Sequence, residues 1–199
     1  MSAPRRGRRP AGSDARGDIV AAARAEFAER GYDATSLRAI ARRAQVDSAL
    51  VHHYFAGKSA LFAEIMTIPV DPSVLVSAVV ALPRERVGEA LVRAFFELWD
   101  SPAGRARFTI LARSVLTSEE AARMVREFLA REVLGAIATA YALPGSDPLD
   151  VERRASLAAA QLFGAAVLRY VVGFPGLQQA GVEDLIADLA PTIQRYLAP

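Results

Sequence analysis

The residues best placed to do chemistry lie between Thr35 and Lys58. Thr35 and Ser36 set two hydroxyls and several backbone N–H groups at a helix start, a ready phosphate site. Lys58 puts an ammonium at the next helix start. Between them the spacing predicts two short helices, Leu37–Ala44 with Ser36 as cap and Ser48–Tyr54 with Asp47 as cap. Ile40, Ala41, Ala44, Val46 and Val51 are small or apolar and can seal that pair. Arg38, Ser48, Ala49, His52 and His53 are left for the outside. Two short helices joined by a tight turn are the elements of a helix-turn-helix, whose second helix enters the major groove of DNA.

Other chemistries have little to draw on. The chain has no Cys, which excludes disulfides, thiolate metal sites and a Cys nucleophile. Its two His residues are adjacent, so on a helix they point ~100° apart, and no third ligand accompanies them. A DNA-facing role outweighs a metal site, and no metal or other cofactor is expected. A Gly-rich phosphate loop, a nucleophile elbow and a His-Glu metal motif are all missing. No catalytic residue stands out, and an enzyme is not expected.

The scaffold reads as all-α. The chain has 199 residues, 52% of them hydrophobic, enough for a packed core. A first helix is predicted over Asp14–Arg30, where Ile19, Ala23 and Phe27 recur every four residues and Gly31 stops it. A helix restarts near Lys58, with Leu61, Phe62, Ile65 and Met66 inward, until Pro69 and Pro72 interrupt. Further segments are predicted over Ser73–Ala81, Arg84–Trp99, Ala103–Leu116, Glu119–Tyr141, Val151–Val172 and Val182–Leu197, for about nine helices in total. The expected division is an arm over 1–13, a helix-turn-helix domain over 14–68 and a helical domain over 69–199.

Charge follows the same division. From Met1 to Glu64, eleven Lys or Arg stand against seven Asp or Glu, or +4; from Ile65 to Pro199, thirteen stand against fifteen, or −2. A basic surface at one end is the footprint of a polyanion binder. Arg5, Arg6, Arg8 and Arg9 crowd the arm, which suits either a minor-groove contact or a solubilising tail. The longest charge-free apolar stretch, Ala155–Leu168, is shorter than the ~18 residues of a membrane span. No apolar segment follows the basic N-terminus, so a secretory signal is not expected. A cytoplasmic protein without a membrane partner is the expectation.

The run from Ile19 to Met66 resembles the DNA-binding domain of TetR/AcrR-type transcriptional regulators. The matching pieces are Ile19-Val20-Ala21-Ala22-Ala23, Phe27, Gly31-Tyr32-Asp33-Ala34-Thr35-Ser36, Ile40-Ala41, Val46 and Tyr54-Phe55-Ala56-Gly57-Lys58-Ser59-Ala60-Leu61. The match is ordered and gap-free over about a quarter of the chain. Two positions depart from the family pattern. Gln45 stands where Gly is common, and in His52-His53-Tyr54-Phe55 the usual Tyr and His have changed places. The resemblance implies that Thr35 and Ser36 contact phosphate and that Arg38 meets phosphate or a base edge. It implies that Ser48, Ala49 and Leu50 face the bases. It further implies that His52 meets a base edge or phosphate, and that Tyr54 and Lys58 hold the backbone. Ala49 and Leu50 offer apolar contact alone, so phosphate contacts and DNA shape should supply much of the affinity.

The larger part reads as a ligand-binding and dimerisation domain. Phe95, Trp99, Phe108, Phe128 and Phe163, with Arg113 and Gln161 among them, could line an apolar pocket with a few orienting groups. Each aromatic taken alone suits a plain core. Ala158, Leu162, Ala165 and Leu168 on one helix, and Ile186, Leu189 and Ile193 on the last, could pack against twofold copies. The resemblance implies both the pocket and this four-helix interface. A twofold homodimer would read a palindromic operator in double-stranded DNA. The expectation is a repressor released by a small apolar or amphipathic effector. The alternative is a constitutive DNA-binding regulator with no small-molecule effector, or one that answers to a protein partner.

Overall fold

A computed structural model describes residues 14–66 and 71–198. The arm with Arg5–Arg9 and the expected domain boundary near Pro69 lie outside these residues. Every regular element among the described residues is helical. Helix α1 spans Ala15–Ala34, α2 Leu37–Arg43, α3 Ser48–Tyr54, α4 Lys58–Met66 and α5 Pro72–Val80. A 3-10 turn at Arg84–Arg86 leads into α6, Val87–Trp99, followed by α7, Pro102–Thr117. Helix α8, Glu119–Phe128, runs through a π-helical turn at Leu129–Val133 into α9, Leu134–Ala140. Helix α10, Pro148–Ala166, ends in a second π-helical turn at Val167–Val172; α11 is Pro175–Gln179 and α12 Val182–Leu197. With α8–α9 taken as one rod, eleven helices stand among the described residues, against the nine or so expected. The short α11 lies in the gap between the predicted segments Val151–Val172 and Val182–Leu197.

Local chemistry explains the starts. Asp14, Ser36, Asp47, Asp71, Ser101, Ser118 and Asp147 each accept a hydrogen bond from an N–H of the first turn. Each satisfies a donor that the helix itself leaves orphaned. Pro72, Pro102 and Pro148 occupy first-turn positions, where a missing N–H costs nothing. Helix α1 outruns its expected end by one turn. Gly31, at φ 76° and ψ 177°, breaks the helical path, and the chain turns once more to Ala34. That combination belongs almost solely to glycine.

Two cores result. In the first, Phe27, Tyr32 and Phe62 of α1 and α4 meet with ring centroids 5.0–5.8 Å apart. Ile19, Ile40, Val51, Leu61 and Ile65 surround them, and Ile110 of α7 and Ala121 of α8 complete the cluster. The second gathers Val92 and Phe96 of α6, Ile137 of α9, Ala158 and Leu162 of α10, and Ile193 and Leu197 of α12. Helices α6 and α12 touch at Gly88, where a Cβ would lie 2.4 Å from the Ala190 carbonyl oxygen. The Gly88 N–H donates to Gln194 Oε1 at 2.9 Å. The rod Pro148–Val172 holds an 18-residue stretch of mean hydropathy 1.5, long and apolar enough to cross a membrane by length and composition. The charge-free stretch Ala155–Leu168 did not suggest this. Ala155, Ala158, Leu162 and Ala166 of the rod are nonetheless buried in the protein core.

One ion pair, buried on its arginine side, ties these helices at their ends. Arg169, in the second π turn, is 6% exposed. Its guanidinium donates to Asp100 Oδ1 at 3.1 Å and Oδ2 at 3.2 Å. It also donates to the carbonyls of Leu177 and Ala180, which lie between α10 and α12. The Tyr170 hydroxyl donates to Asp100 Oδ1 at 3.0 Å. Without Arg169, Asp100 keeps the Tyr170 hydroxyl and the more distant Arg105 at 3.6 Å, while the Leu177 and Ala180 carbonyls lose their donor. Arg169→Met is therefore expected to lower stability by about 3 kcal/mol, and thermal unfolding should show a Tm drop of about 10 °C.

Candidate functional site

The exposed face of α2 and α3 begins at their turn. Val46 N–H donates to the Ala41 carbonyl at 3.0 Å and Ala44 N–H to that of Ile40 at 2.9 Å. Gln45 takes φ 56°, the one positive φ among described residues other than glycine. The expected Gln45 turn thus forms, with a side chain in left-handed backbone. Val51 is fully buried and pins α3 to the first core. With successive residues ~100° apart, Ala49, His52 and His53 share the face opposite Val51, and all three are exposed. Tyr54 is 41% exposed; Ser48 and Leu50 are half-buried. On α2, Arg38 and Arg42 are both exposed, four residues apart.

The third arginine of α2 is also exposed but is paired with α1. Arg43 Nη1 donates to Glu26 Oε1 at 3.0 Å, and both of its Nη atoms donate to the Glu29 carboxylate. That guanidinium holds the Glu29 carboxyl below its ordinary range, chiefly through the hydrogen bonds. Arg43 thereby links α2 to α1 across the surface.

Of the expected phosphate contacts, that of the Thr35 hydroxyl is corrected, and the Lys58 ammonium is engaged within the head. Thr35 is 2% exposed, and its hydroxyl lies 2.8 Å from the Gly31 carbonyl oxygen and 3.2 Å from that of Glu26. It closes the α1 kink and presents nothing to a ligand. Lys58 is half-buried; its Nζ donates to the carbonyls of Tyr32 at 3.0 Å and Asp33 at 3.4 Å. It also sits 4.4 Å from the Tyr32 ring centroid. Its ammonium caps the end of α1, where the carbonyl dipoles favour a cation. Ser36 stays exposed, with its oxygen accepting from Ala39 N–H at 3.2 Å. The sequence reading assigned no contact to Arg42 or His53. Their spacing of four from Arg38 and Ala49 was the available signal.

The larger part differs more from expectation. Phe95, Trp99, Phe108 and Phe163 do come together, joined by Tyr170, with centroids 5.4–6.4 Å apart. They form a closed cluster, with Phe108 only 1% exposed. Three other expected lining residues are elsewhere. Arg113 is exposed and donates from Nη1 to the Ala28 carbonyl of α1 at 2.6 Å. Gln161 lies on the surface, and Phe128 is half-buried at the end of α8. A cleft opens beside the cluster, between α8–α9 and α10. It has a volume of about 1010 Å³, lined by Val125, Leu129, Leu134, Ala155, Ala159 and Phe163 among others, with Arg126, Arg131 and Glu152 also in its wall.

Four of the expected interface residues are consumed by the chain's own core. Ala158, Leu162, Ile186 and Ile193 are all buried. Ala165 and Leu189 are half-buried. Leu168 is exposed, as are Leu157, Val171, Val172 and Phe174. Gly164 opens onto free space. Among the described residues no group of three or more acidic, His or Cys side chains could hold a metal ion.

The helical head, its turn and the exposed face of α3 define a DNA-binding transcription regulator of helix-turn-helix type. Residues 19–65 match the family described as bacterial regulatory proteins, tetR family. Residues 85–197 match the tetracyclin repressor-like C-terminal domain. The chain is 32% identical over 171 residues to the HTH-type transcriptional regulator BetI of Rhizobium meliloti (strain 1021), across 82% of each chain. It superposes on a TetR-family regulator of Streptomyces coelicolor A3 with TM-score 0.65 and 33% identity, covering 96% of this chain and 98% of that one. NalD, the secondary repressor of the MexAB-OprM multidrug efflux pump in Pseudomonas aeruginosa, shares the fold. Its TM-score is 0.68 at 24% identity, over 92% of this chain and 95% of that one. The chain belongs to the TetR family.

Gln45 provides a direct test of the turn. Left-handed backbone costs a residue with a Cβ roughly 1 kcal/mol. Gln45→Gly should recover about that much, offset partly by the greater freedom of glycine in the unfolded chain. A urea denaturation midpoint unchanged or lowered would contradict this account.

Proposed function

We propose that this protein is a ligand-responsive repressor that binds a palindromic operator as a homodimer. The observation that carries the reading is the exposed stripe Ala49, His52 and His53 on a helix anchored by Val51, beside exposed Arg38 and Arg42. Ser48, Ala49, Leu50 and His52 read the bases. Ser36, Arg38, Arg42 and Tyr54 hold the phosphates. Thr35 and Lys58 set the angle of this head from behind. The head is residues 14–68, and residues 69–199 form the effector and dimerisation domain. A DNA operator makes the bacterial cytoplasm the place of action.

The second copy packs on the outer face of the α10 rod. Leu157, Leu168, Val171, Val172 and Phe174 are exposed there, and Gly164 lets another helix approach. Such an apolar strip is what a twofold interface covers. Its two heads then meet half-sites about 34 Å apart or somewhat more. The effector enters the cleft between α8–α9 and α10, whose apolar walls suit a small amphipathic molecule. Movement of α8 reaches the head directly, because Ala121 packs in the head core and Arg113 of α7 holds the Ala28 carbonyl. The effector acts through its different affinities for the two arrangements. The closed aromatic cluster alone would favour a constitutive regulator. The open cleft beside Phe163 favours the sensor.

Selection of bound duplexes from a random DNA pool tests the DNA half. One enriched palindrome is the expected result, and no enrichment would overturn the reading. On that operator, Arg42→Ala removes one phosphate contact from each protomer, so it should weaken all duplexes alike and flatten the log–log salt dependence by about 1.8. For the sensor half, Ala159→Trp should narrow the cleft beside Phe163. The dye 1-anilinonaphthalene-8-sulfonate should then lose most of its bound fluorescence while operator affinity stays unchanged.

A further inference from the structure

The whole chain holds two histidines and no cysteine, and both histidines stand on the exposed face of α3. The helix reads Ser48-Ala49-Leu50-Val51-His52-His53-Tyr54. It contains no Arg, Lys, Asn or Gln, the side chains that make paired hydrogen bonds to guanine or adenine. Polar readout therefore falls largely to the two imidazoles. A neutral imidazole offers one donor and one acceptor, whereas an imidazolium offers two donors and a positive charge. Guanine presents two acceptors, O6 and N7, in the major groove. Phosphate favours the charged ring as well. For both targets the protonated form is the better partner.

We propose that His52 and His53 are proton-dependent specificity residues, and that the protein takes up protons as it binds its operator. This rests on the DNA-binding reading above. The surrounding charges suit it. On α3, Asp47 caps the helix start, and the Tyr54 ring is 5.2 Å from that of His53. Helix α2 contributes Arg38, Arg42 and Arg43, the last neutralised by Glu26 and Glu29. From α4, Lys58 is bound to the Tyr32 and Asp33 carbonyls. From α1, Arg16 pairs with Glu64 at 2.7 Å and lies 5.4 Å from the Phe55 ring centroid. The field at the free face is mostly cationic, and a bound duplex reverses it. Binding that favours the protonated ring is strongest at low pH. It weakens as pH rises through the range where histidine changes charge, about 5 to 8.

The test uses the full chain and the operator enriched from the random pool, at fixed salt. Lowering pH from about 8 to about 6 should tighten binding about tenfold or more in the wild type. His52→Gln combined with His53→Gln keeps a hydrogen-bonding side chain but cannot titrate, and should flatten that dependence. Both positions are exposed, so the fold should survive, which circular dichroism checks. Calorimetry in buffers of different ionisation enthalpy reads the proton uptake directly. A flat wild-type profile, or the same slope in the double variant, overturns the proposal while leaving DNA binding intact. Failure to bind any duplex at either pH overturns the DNA-binding reading, and this inference with it.

Discussion

The end of α1 governs how the head is built. A helix that breaks its path must rehouse its last carbonyls, because an unpaired buried carbonyl is costly. Gly31 makes the break, and three groups answer it. The Thr35 hydroxyl reaches the Gly31 carbonyl, the Lys58 ammonium takes those of Tyr32 and Asp33, and Arg113 takes that of Ala28. These groups come from the α1–α2 junction, from α4 and from α7. A single backbone turn therefore fixes the first helix, the helix behind the reader and the body of the protein relative to one another. The ring of Tyr32 sits at the same place, under the Lys58 ammonium and against Phe27 and Phe62. Burial, helped by the neighbouring Glu120 carboxylate, pushes its phenol up to about 12, so it stays neutral.

The head core is not closed by head residues alone. Ile110 and Ala121 come from α7 and α8 and are as deeply buried as the residues of α1 and α4 around them. The same α8 runs on into the cleft wall through Val125 and Leu129. Head and cleft thus share a structural member. Packed interiors resist continuous deformation, so a displacement at one end of such a member is passed on instead of absorbed.

Much of the fold was legible in the sequence, because it is written locally. A cap residue, a glycine stop and a repeat of four each act within a few positions. Ser36 and Asp47 accordingly sit where their spacing puts them. The candidate site was legible at Arg38, Ala49 and His52, whose exposure follows from helical phase against Ile40 and Val51. It was not legible at Thr35, Lys58 and Arg113. Residue type says what such a side chain can bond to, and tertiary structure decides which carbonyl it meets. Small and branched apolar residues on long helices were equally ambiguous. Ala158 and Leu162 entered the chain's own core, while Leu168 and Gly164 on the same rod faced outward. Periodicity marks an apolar stripe but does not say what covers it.

The π-helical turn at Leu129–Val133 settles a geometric problem that a regular helix could not. There the Leu134 N–H reaches back five residues to the Leu129 carbonyl. A Cβ on Gly135 would lie only 1.8 Å from the Ala130 carbonyl oxygen, so glycine is the residue that permits this winding. One extra residue in a turn rotates everything after it by about 100° relative to an unbroken helix. The rod is consequently out of phase with itself. Its first half turns Ala121 toward the head, and its second half turns Leu134, Ile137 and Ala138 toward the other core. The extra residue works like the offset in a crankshaft, letting one rigid shaft bear on two centres that do not lie along the same line.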